Sequence, residues 1–83
     1  MYIVGIYMTF DGEMPLYIFD TEEKAKEFIK DNYYKELEIA EQEENLMSFN
    51  ITKDYSWARI DYINNEDELD FIEWNIGSIY EQK

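Results

Sequence analysis

The feature that most constrains the fold is an apolar stripe at helical spacing within residues 19–45. Its apolar side chains recur at steps of three and four, as on one face of an α-helix. Asp20 is the predicted N-cap, because Glu23 stands three residues later, where a capping box places its carboxylate. We expect one long helix whose weakest point is Asp31-Asn32. The stripe consists of Ala25, Phe28, Ile29, Tyr33, Leu37 and Ala40.

Before this helix the sequence predicts a β-hairpin. Residues 2–10 are β-branched, apolar or aromatic and carry no charge, which predicts a strand inside a sheet with both faces covered. Asp11-Gly12 is a strong turn signal, and Pro15 fits the start of a returning strand over residues 16–19.

After the helix the period changes to two, which predicts three more strands. The side predicted to face the core carries Ala58, Ile60 and Tyr62, then Ile72, Trp74 and Ile76. The order β-β-α-β-β-β predicts a single α+β domain over residues 1–83, with one helix packed on an antiparallel sheet of four to five strands. The three predicted strands are residues 47–52, 55–63 and 71–80, with a turn at Lys53-Asp54 and a polar connection over residues 64–70.

Charge restricts the class of partner. The net charge is −13, and Glu36 to Gln82 hold thirteen acids against Lys53 and Arg59. Such a chain repels nucleic acid and anionic membranes, so direct binding to either is not expected. The charge instead favours a basic partner or cations, or serves only to keep an aromatic-rich protein in solution.

The residues that are absent argue against catalysis. Cysteine and histidine are both missing, which removes disulfides, thiolate nucleophiles, imidazole bases and the usual zinc ligands. The three glycines are isolated and form no phosphate-binding loop. An EF-hand reading of the acids around Glu66 fails, because its sixth position lacks glycine. We therefore expect no enzyme, no cofactor and no dedicated metal site.

Two groups of acids and one tryptophan are the candidate partner-binding residues. The first group lies at the helix C-terminus, where acid opposes the helix dipole. Trp57 is predicted to share a strand face with Arg59 and Asp61, as an aromatic anchor among charges would. The first group is Glu36, Glu38, Glu41, Glu43 and Glu44, and the second is Glu66, Asp67, Glu68, Asp70 and Glu73.

In shortness, acidity, tyrosine content and lack of cysteine and histidine, the chain resembles small phage-encoded inhibitors of host defence. Anti-CRISPR proteins, anti-restriction proteins and uracil-DNA glycosylase inhibitors belong to that class, and several of them mimic the charge of DNA. The segment FDTEEKAKEFI also resembles the strand-to-helix entry of many small phage and bacterial α+β proteins. The resemblance is one of composition, so it assigns no role to any residue.

The leading hypothesis is an acidic inhibitor that blocks the basic groove of a nucleic-acid-handling protein, such as a nuclease, a restriction enzyme or a repair enzyme. It implies a cytoplasmic location, in the host cell if the protein comes from a phage. The alternative is a small accessory or structural protein whose charge serves solubility only. The sequence does not decide whether the protein forms a homodimer.

Overall fold

The computed structural model describes residues 1–9 and 15–78, and only the backbone of Ser78. Within these ranges the strands form one antiparallel sheet in the order β2-β1-β5-β4-β3, and the helix packs on one face of it. The predicted α+β class and element order are confirmed. The predicted turn at Asp11-Gly12, and both Ile79 and Tyr80, lie outside the described residues. The elements are β1 (Tyr2–Met8), β2 (Leu16–Phe19), α1 (Glu22–Gln42), β3 (Leu46–Ile51), β4 (Trp57–Ile63) and β5 (Leu69–Ser78).

The core lies between the apolar stripe of α1 and the centre of the sheet, as the sequence predicts. Trp74, on β5, is 1% exposed and meets Tyr33 edge to face, with ring centroids 6.0 Å apart. Phe28 lies at the margin, half-buried, with ring centroids 4.7 Å from Tyr17 and 5.2 Å from Phe19. The buried core residues are Val4, Ile6, Ala25, Ile29, Tyr33, Leu37, Ala58, Ile60, Ile72 and Trp74.

The helix begins one residue later than predicted. Thr21 is the N-cap, and its Oγ1 accepts a hydrogen bond from the backbone N–H of Lys24 at 3.2 Å. Asp20 instead forms an ion pair with the Lys24 ammonium at 3.1 Å. The predicted capping box between Asp20 and Glu23 is therefore wrong, because adjacent Asp and Thr are both good caps and spacing alone does not choose between them. The helix continues through Asp31-Asn32 because its buried stripe is unbroken on both sides.

β1 lies inside the sheet, between β2 and β5, as predicted, but it is covered by another element, the helix, on one face only. On the opposite face, which we call the open face, Tyr7 is 40% and Ile18 is 62% exposed. On the open face β1 lies between apolar Leu16 and Ile18 of β2 on one side and Glu73 and Asn75 of β5 on the other, and a Cβ atom on Gly5 would lie 3.4 Å from the Leu16 side chain.

The β3–β4 hairpin differs from the prediction at two places. The ladder shifts between Leu46 and Ser48, so Met47 occupies a bulge and the predicted alternation is interrupted there. β4 begins at Trp57 rather than at Tyr55, because Tyr55 adopts a φ of 60° in the turn. Thr52 stabilises this turn, since its Oγ1 accepts hydrogen bonds from the backbone N–H groups of Ser56 at 3.0 Å and Trp57 at 3.1 Å.

Candidate functional site

Six acids drawn from the two predicted groups lie at one end of the molecule. β3 starts directly after the helix and pairs antiparallel with β4, so the helix C-terminus lies beside the end of β4. The Ile63 N–H donates to the Asn45 carbonyl at 2.9 Å, and the Asn45 side-chain amide donates to the Ile63 carbonyl at 2.8 Å. The acids here, Glu36, Glu43, Glu44, Glu66, Asp67 and Glu68, are called the acidic end below.

The acids of the helix and of the β4–β5 turn border shared surface depressions. Glu43, Glu44 and Asp67 line one of them, together with Leu46 and Met47. A neighbouring depression is lined by Glu43 and Glu66. No lysine or arginine contributes to the lining of either. Carboxylates from two separate segments therefore face the same volume of solvent.

The helix ends in a Schellman motif that carries a glutamate where glycine is usual. The Asn45 N–H donates to the Ala40 carbonyl at 3.3 Å, and the Glu44 N–H donates to the Glu41 carbonyl at 3.2 Å. Glu44 has a φ of 57°, in the left-handed region. A side chain with a Cβ costs about 1 kcal/mol or more there, relative to glycine. The sequence thus keeps a carboxylate at a position where glycine would be more stable.

The β4–β5 turn is organised by Asn64, which sequence reasoning missed. Its side-chain oxygen accepts from the backbone N–H of Glu66 at 2.8 Å and of Glu68 at 3.0 Å. Its amide nitrogen donates to Asp70 at 2.9 Å. Asp67 takes a φ of 59°, which aspartate tolerates better than most residues. Asn64-Asn65 between two strands was the available signal, because asparagine caps its own turn in this way.

Asp70 lines the second depression together with Glu43 and Glu66, but it is mostly buried. It is 9% exposed, and its carboxylate accepts from the Thr9 hydroxyl at 2.8 Å and from the Asn64 amide. A buried carboxylate needs such donors, so Asp70 holds the turn onto the sheet. Glu73 also lies apart from the acidic end, on the open face, where it pairs with Arg59 at 3.3 Å. Glu38 and Glu41 are exposed on the helix and, like Glu36 and Glu68, do not border the two depressions. Glu36 instead lines a third depression, with Glu43 and Tyr62.

The pKa of Tyr62 is affected by the carboxylates that surround it. Burial, followed by the negative charges of Asp70, Glu36 and Glu43, raises the pKa of the Tyr62 hydroxyl to about 12. Each of these carboxylates disfavours a further negative charge on the phenol. Carboxylates from the helix and from β5 thus act on the same side chain.

Trp57 lies on the open face with Arg59 and Asp61, as predicted, and is half-buried. The Arg59 guanidinium pairs with Asp61 at 3.1 Å and lies 4.1 Å from the centre of the Phe71 ring. These contacts raise the pKa of Arg59 and lower that of Asp61, through their hydrogen bond. Ile63 lies six positions after Trp57 along β4, so the tryptophan is roughly 20 Å from the acidic end. The sequence names both as partner-binding residues, and the structure places them apart.

Within residues 1–9 and 15–78, no cluster of three or more acids has the geometry to hold a metal ion. In the same part of the chain, no helix is long and apolar enough to cross a membrane.

Comparisons of the chain with models of protein families, with curated proteins and with solved structures find no match.

Proposed function

We propose that this protein is a non-enzymatic inhibitor that binds a basic nucleic-acid-handling protein and occupies its nucleic-acid groove. The target class comprises nucleases, restriction enzymes and repair enzymes, and the setting would be phage anti-defence, of the anti-CRISPR or anti-restriction kind, in the cytoplasm. The observation that carries the proposal is the meeting of two acid-bearing segments at one end of the fold, across depressions with no basic lining.

Charge density supports this proposal. Duplex DNA carries about one negative charge per 1.7 Å of its axis, and a groove that binds it is lined with lysine and arginine. The acidic end offers six carboxylates from two segments, with Glu44 and Asp67 held in defined backbone conformations. Such a surface would attract a basic groove quickly and in a salt-dependent way.

The cost of the arrangement supports it too. Glu43, the C-cap, and Glu44, directly after it, oppose the helix dipole, and the last turn of α1 contains no basic residue. Glu44 adds backbone strain at the same place. If charge served solubility alone, it could stand anywhere on the surface without these costs. Stability given up at one site is a common mark of function.

The test begins with capture of partners from lysates of candidate host cells on the immobilised protein, at low and high salt, with identification by mass spectrometry. A captured nucleic-acid-binding protein is then titrated with this protein in the presence of its DNA or RNA. We expect competition, with association that slows as salt rises. Simultaneous, independent binding of the protein and the nucleic acid would contradict occupation of the groove.

Matched triple variants separate function from solubility. E43Q/E66Q/D67N removes three of the six charges of the acidic end, and E23Q/E27Q/D31N removes the same charge from the first half of the helix. We expect the first to slow association roughly tenfold or more at low salt, and the second much less, because steering depends on where the charges lie. Equal effects, or no basic partner retained at low salt, would favour the solubility interpretation.

A further inference from the structure

We infer that the outer edge of β3 accepts an extended strand of a cationic partner, which adds a sixth strand to the sheet. The inference rests on the proposed function and names the contact through which the partner docks. β3 is the last strand in the order β2-β1-β5-β4-β3. Edge strands carry unpaired backbone groups that pair readily with another chain.

The outward-facing backbone groups of β3 follow from its pairing with β4. The Thr52 N–H donates to the Trp57 carbonyl at 3.0 Å, so the backbone N–H of Thr52 points toward β4. Successive residues of a strand point their backbone groups to alternate sides. In the register Phe49↔Ile60 and Ile51↔Ala58, the N–H and C=O of Phe49 and Ile51 therefore point away from the sheet.

The edge lacks two of the usual protections against pairing, charge and proline, and its one bulge precedes the outward-facing groups of Phe49 and Ile51. Residues 46–52 contain no charged residue and no proline, in a chain that is 33% charged. Charges and prolines on edge strands are the common devices that block strand addition. Met47 is 61% and Phe49 is 59% exposed, so apolar side chains accompany the free backbone groups. The bulge at Met47 is the one irregularity in the ladder of this strand.

The charges near the edge of β3 favour a partner strand that carries lysine or arginine. Leu46 and Met47, where β3 begins, line the same depression as Glu43, Glu44 and Asp67. A strand along the edge would therefore extend into the acidic end, where its lysines or arginines would meet carboxylates. A second copy of this chain, with a net charge of −13, would instead be repelled.

The opposite edge of the sheet does not offer the same combination. β2 is also uncharged, but it has four residues against six in β3 and follows Pro15. The Ile6 N–H donates to the Pro15 carbonyl, so only Leu16 and Ile18 point outward within β2. The charges next to it, Asp20, Glu22, Lys24 and Lys26, are of both signs and paired. The β2 edge thus serves as an internal control.

A surface depression next to β3 could also accommodate side chains of an added strand. A shallow depression beside the edge is lined by Phe49, Trp57 and Arg59, with Ser48, Asn50 and Asp61. Strand addition obtains its affinity from main-chain hydrogen bonds and its specificity from such pockets for alternate side chains. Trp57, far from the acidic end, would thereby contact the same partner strand.

The experiment measures amide hydrogen exchange by NMR with a defined probe, a terminally blocked octapeptide of alternating lysine and valine. We expect the amides of Phe49 and Ile51 to exchange about tenfold more slowly with the peptide, and those of Leu16 and Ile18 to be unchanged. The matching glutamate–valine peptide should have no effect. Protection at β2 instead, or peptide-induced shifts at Glu43 and Asp67 without slowed exchange at β3, would overturn the inference.

Two variants at one position isolate the backbone contribution. Phe49→Pro removes an outward N–H without removing a hydrogen bond to β4, and Phe49→Ala keeps that N–H. We expect the proline variant to lose the slowing at Ile51 and the alanine variant to retain it. Continued protection of the Asn50 amide, which points toward β4, verifies that each variant is folded.

The captured partner then separates this inference from the proposed function. If nucleic acid is displaced while Phe49 and Ile51 exchange at their free rates, the edge contact is wrong and groove occupation stands. If exchange slows but nucleic acid stays bound, the edge contact stands and groove occupation is wrong. If exchange at Phe49 is slow without any partner and sedimentation gives a dimer, a second copy occupies the edge and the inference is overturned.

Discussion

The two ends of the helix are built in opposite ways. At the N-terminus, Thr21 caps the first turn, and Lys24 and Lys26 pair with Asp20 and Glu22, four residues earlier. Lys26 also lies 3.8 Å from Asp54, in the nearby β3–β4 turn. At the C-terminus, acids stand without basic neighbours in the last turn, and Glu44 is strained. One end is arranged for stability and the other carries charge at the expense of stability, so substitutions at the two ends should act in opposite directions.

The largest effect is expected from Asn64→Ala, which would break the scaffold of the acidic end. The variant leaves the buried Asp70 carboxylate without one donor and two turn N–H groups without their acceptor. Loss of partners for a buried charge and for backbone groups predicts a cost of about 3 kcal/mol. Urea unfolding measures the free energy directly. Asn65→Ala, next to it and exposed, is the control and should stay within about 0.5 kcal/mol of the parent.

The sequence predicts the core of this fold but not the contacts that hold the acidic end together. Period-two and helical patterns predicted which sides of β4, β5 and α1 face the core, because burial repeats along each element. Of the two partners of Asp70, Asn64 is six residues away, but Thr9 lies 61 residues away and leaves no local pattern, so the sequence does not predict that Asp70 is buried. The acidic end could not be recognised as one surface for the same reason. It depends on β3 pairing with β4, which brings Asn45 beside Ile63.

Thr21→Ala should weaken the stabilised end. The substitution removes the hydroxyl that accepts the Lys24 N–H, and loss of an N-cap side chain typically costs about 1 kcal/mol. For a domain of this size that corresponds to a fall in Tm of roughly 4–8 °C. Thr21→Ser retains an oxygen at the same position and should restore most of the loss. Equal stability of all three proteins would mean that the N-terminal turn frays in solution.

Glu44→Gly should act in the opposite direction and raise the free energy of unfolding by up to about 1 kcal/mol, because glycine adopts the left-handed conformation freely. Glu44→Gln keeps the Cβ and removes the charge, so the difference between the two variants isolates the backbone contribution. If the glycine variant is less stable than the glutamine variant, strain at Glu44 is not the reason. If it is more stable and binds the captured partner more slowly, stability and binding conflict at this one residue.

The dependence of Tm on salt should differ between variants of the two helix ends, by less than the substitutions above change stability. Screening weakens repulsion among like charges and attraction within exposed ion pairs alike. For a chain of net charge −13, repulsion dominates, so Tm should rise between low salt and about 0.5 M NaCl. This salt-induced rise in Tm should be reduced more in E43Q/E66Q/D67N than in E23Q/E27Q/D31N. A Tm that falls steadily with salt in the parent protein would contradict repulsion as the dominant contribution.

The smallest effect is a change in the titration of Tyr62, and it tests the acidic end without any partner. Burial is the first cause of its raised pKa, and Asp70, Glu36 and Glu43 add to it. The folded pKa of about 12 exceeds the ordinary value of 10.0, so the folded state holds this proton more tightly than the unfolded state does. This contribution to stability is complete below pH 10 and is lost as pH rises toward 12.

The E36Q/E43Q variant keeps the burial of Tyr62 and removes two of its three carboxylate neighbours. Its phenol should therefore titrate at a lower pH than in the parent protein, followed by absorbance at 295 nm, with Tyr62→Phe identifying the signal. E23Q/E27Q, equal in charge but at the other end of the helix, should leave the titration nearly unchanged, because a Debye length of about 10 Å at 0.1 M salt screens distant charges. An equal shift in both variants would mean that Tyr62 senses net charge alone, and the contrast between the two ends would then lose its electrostatic basis.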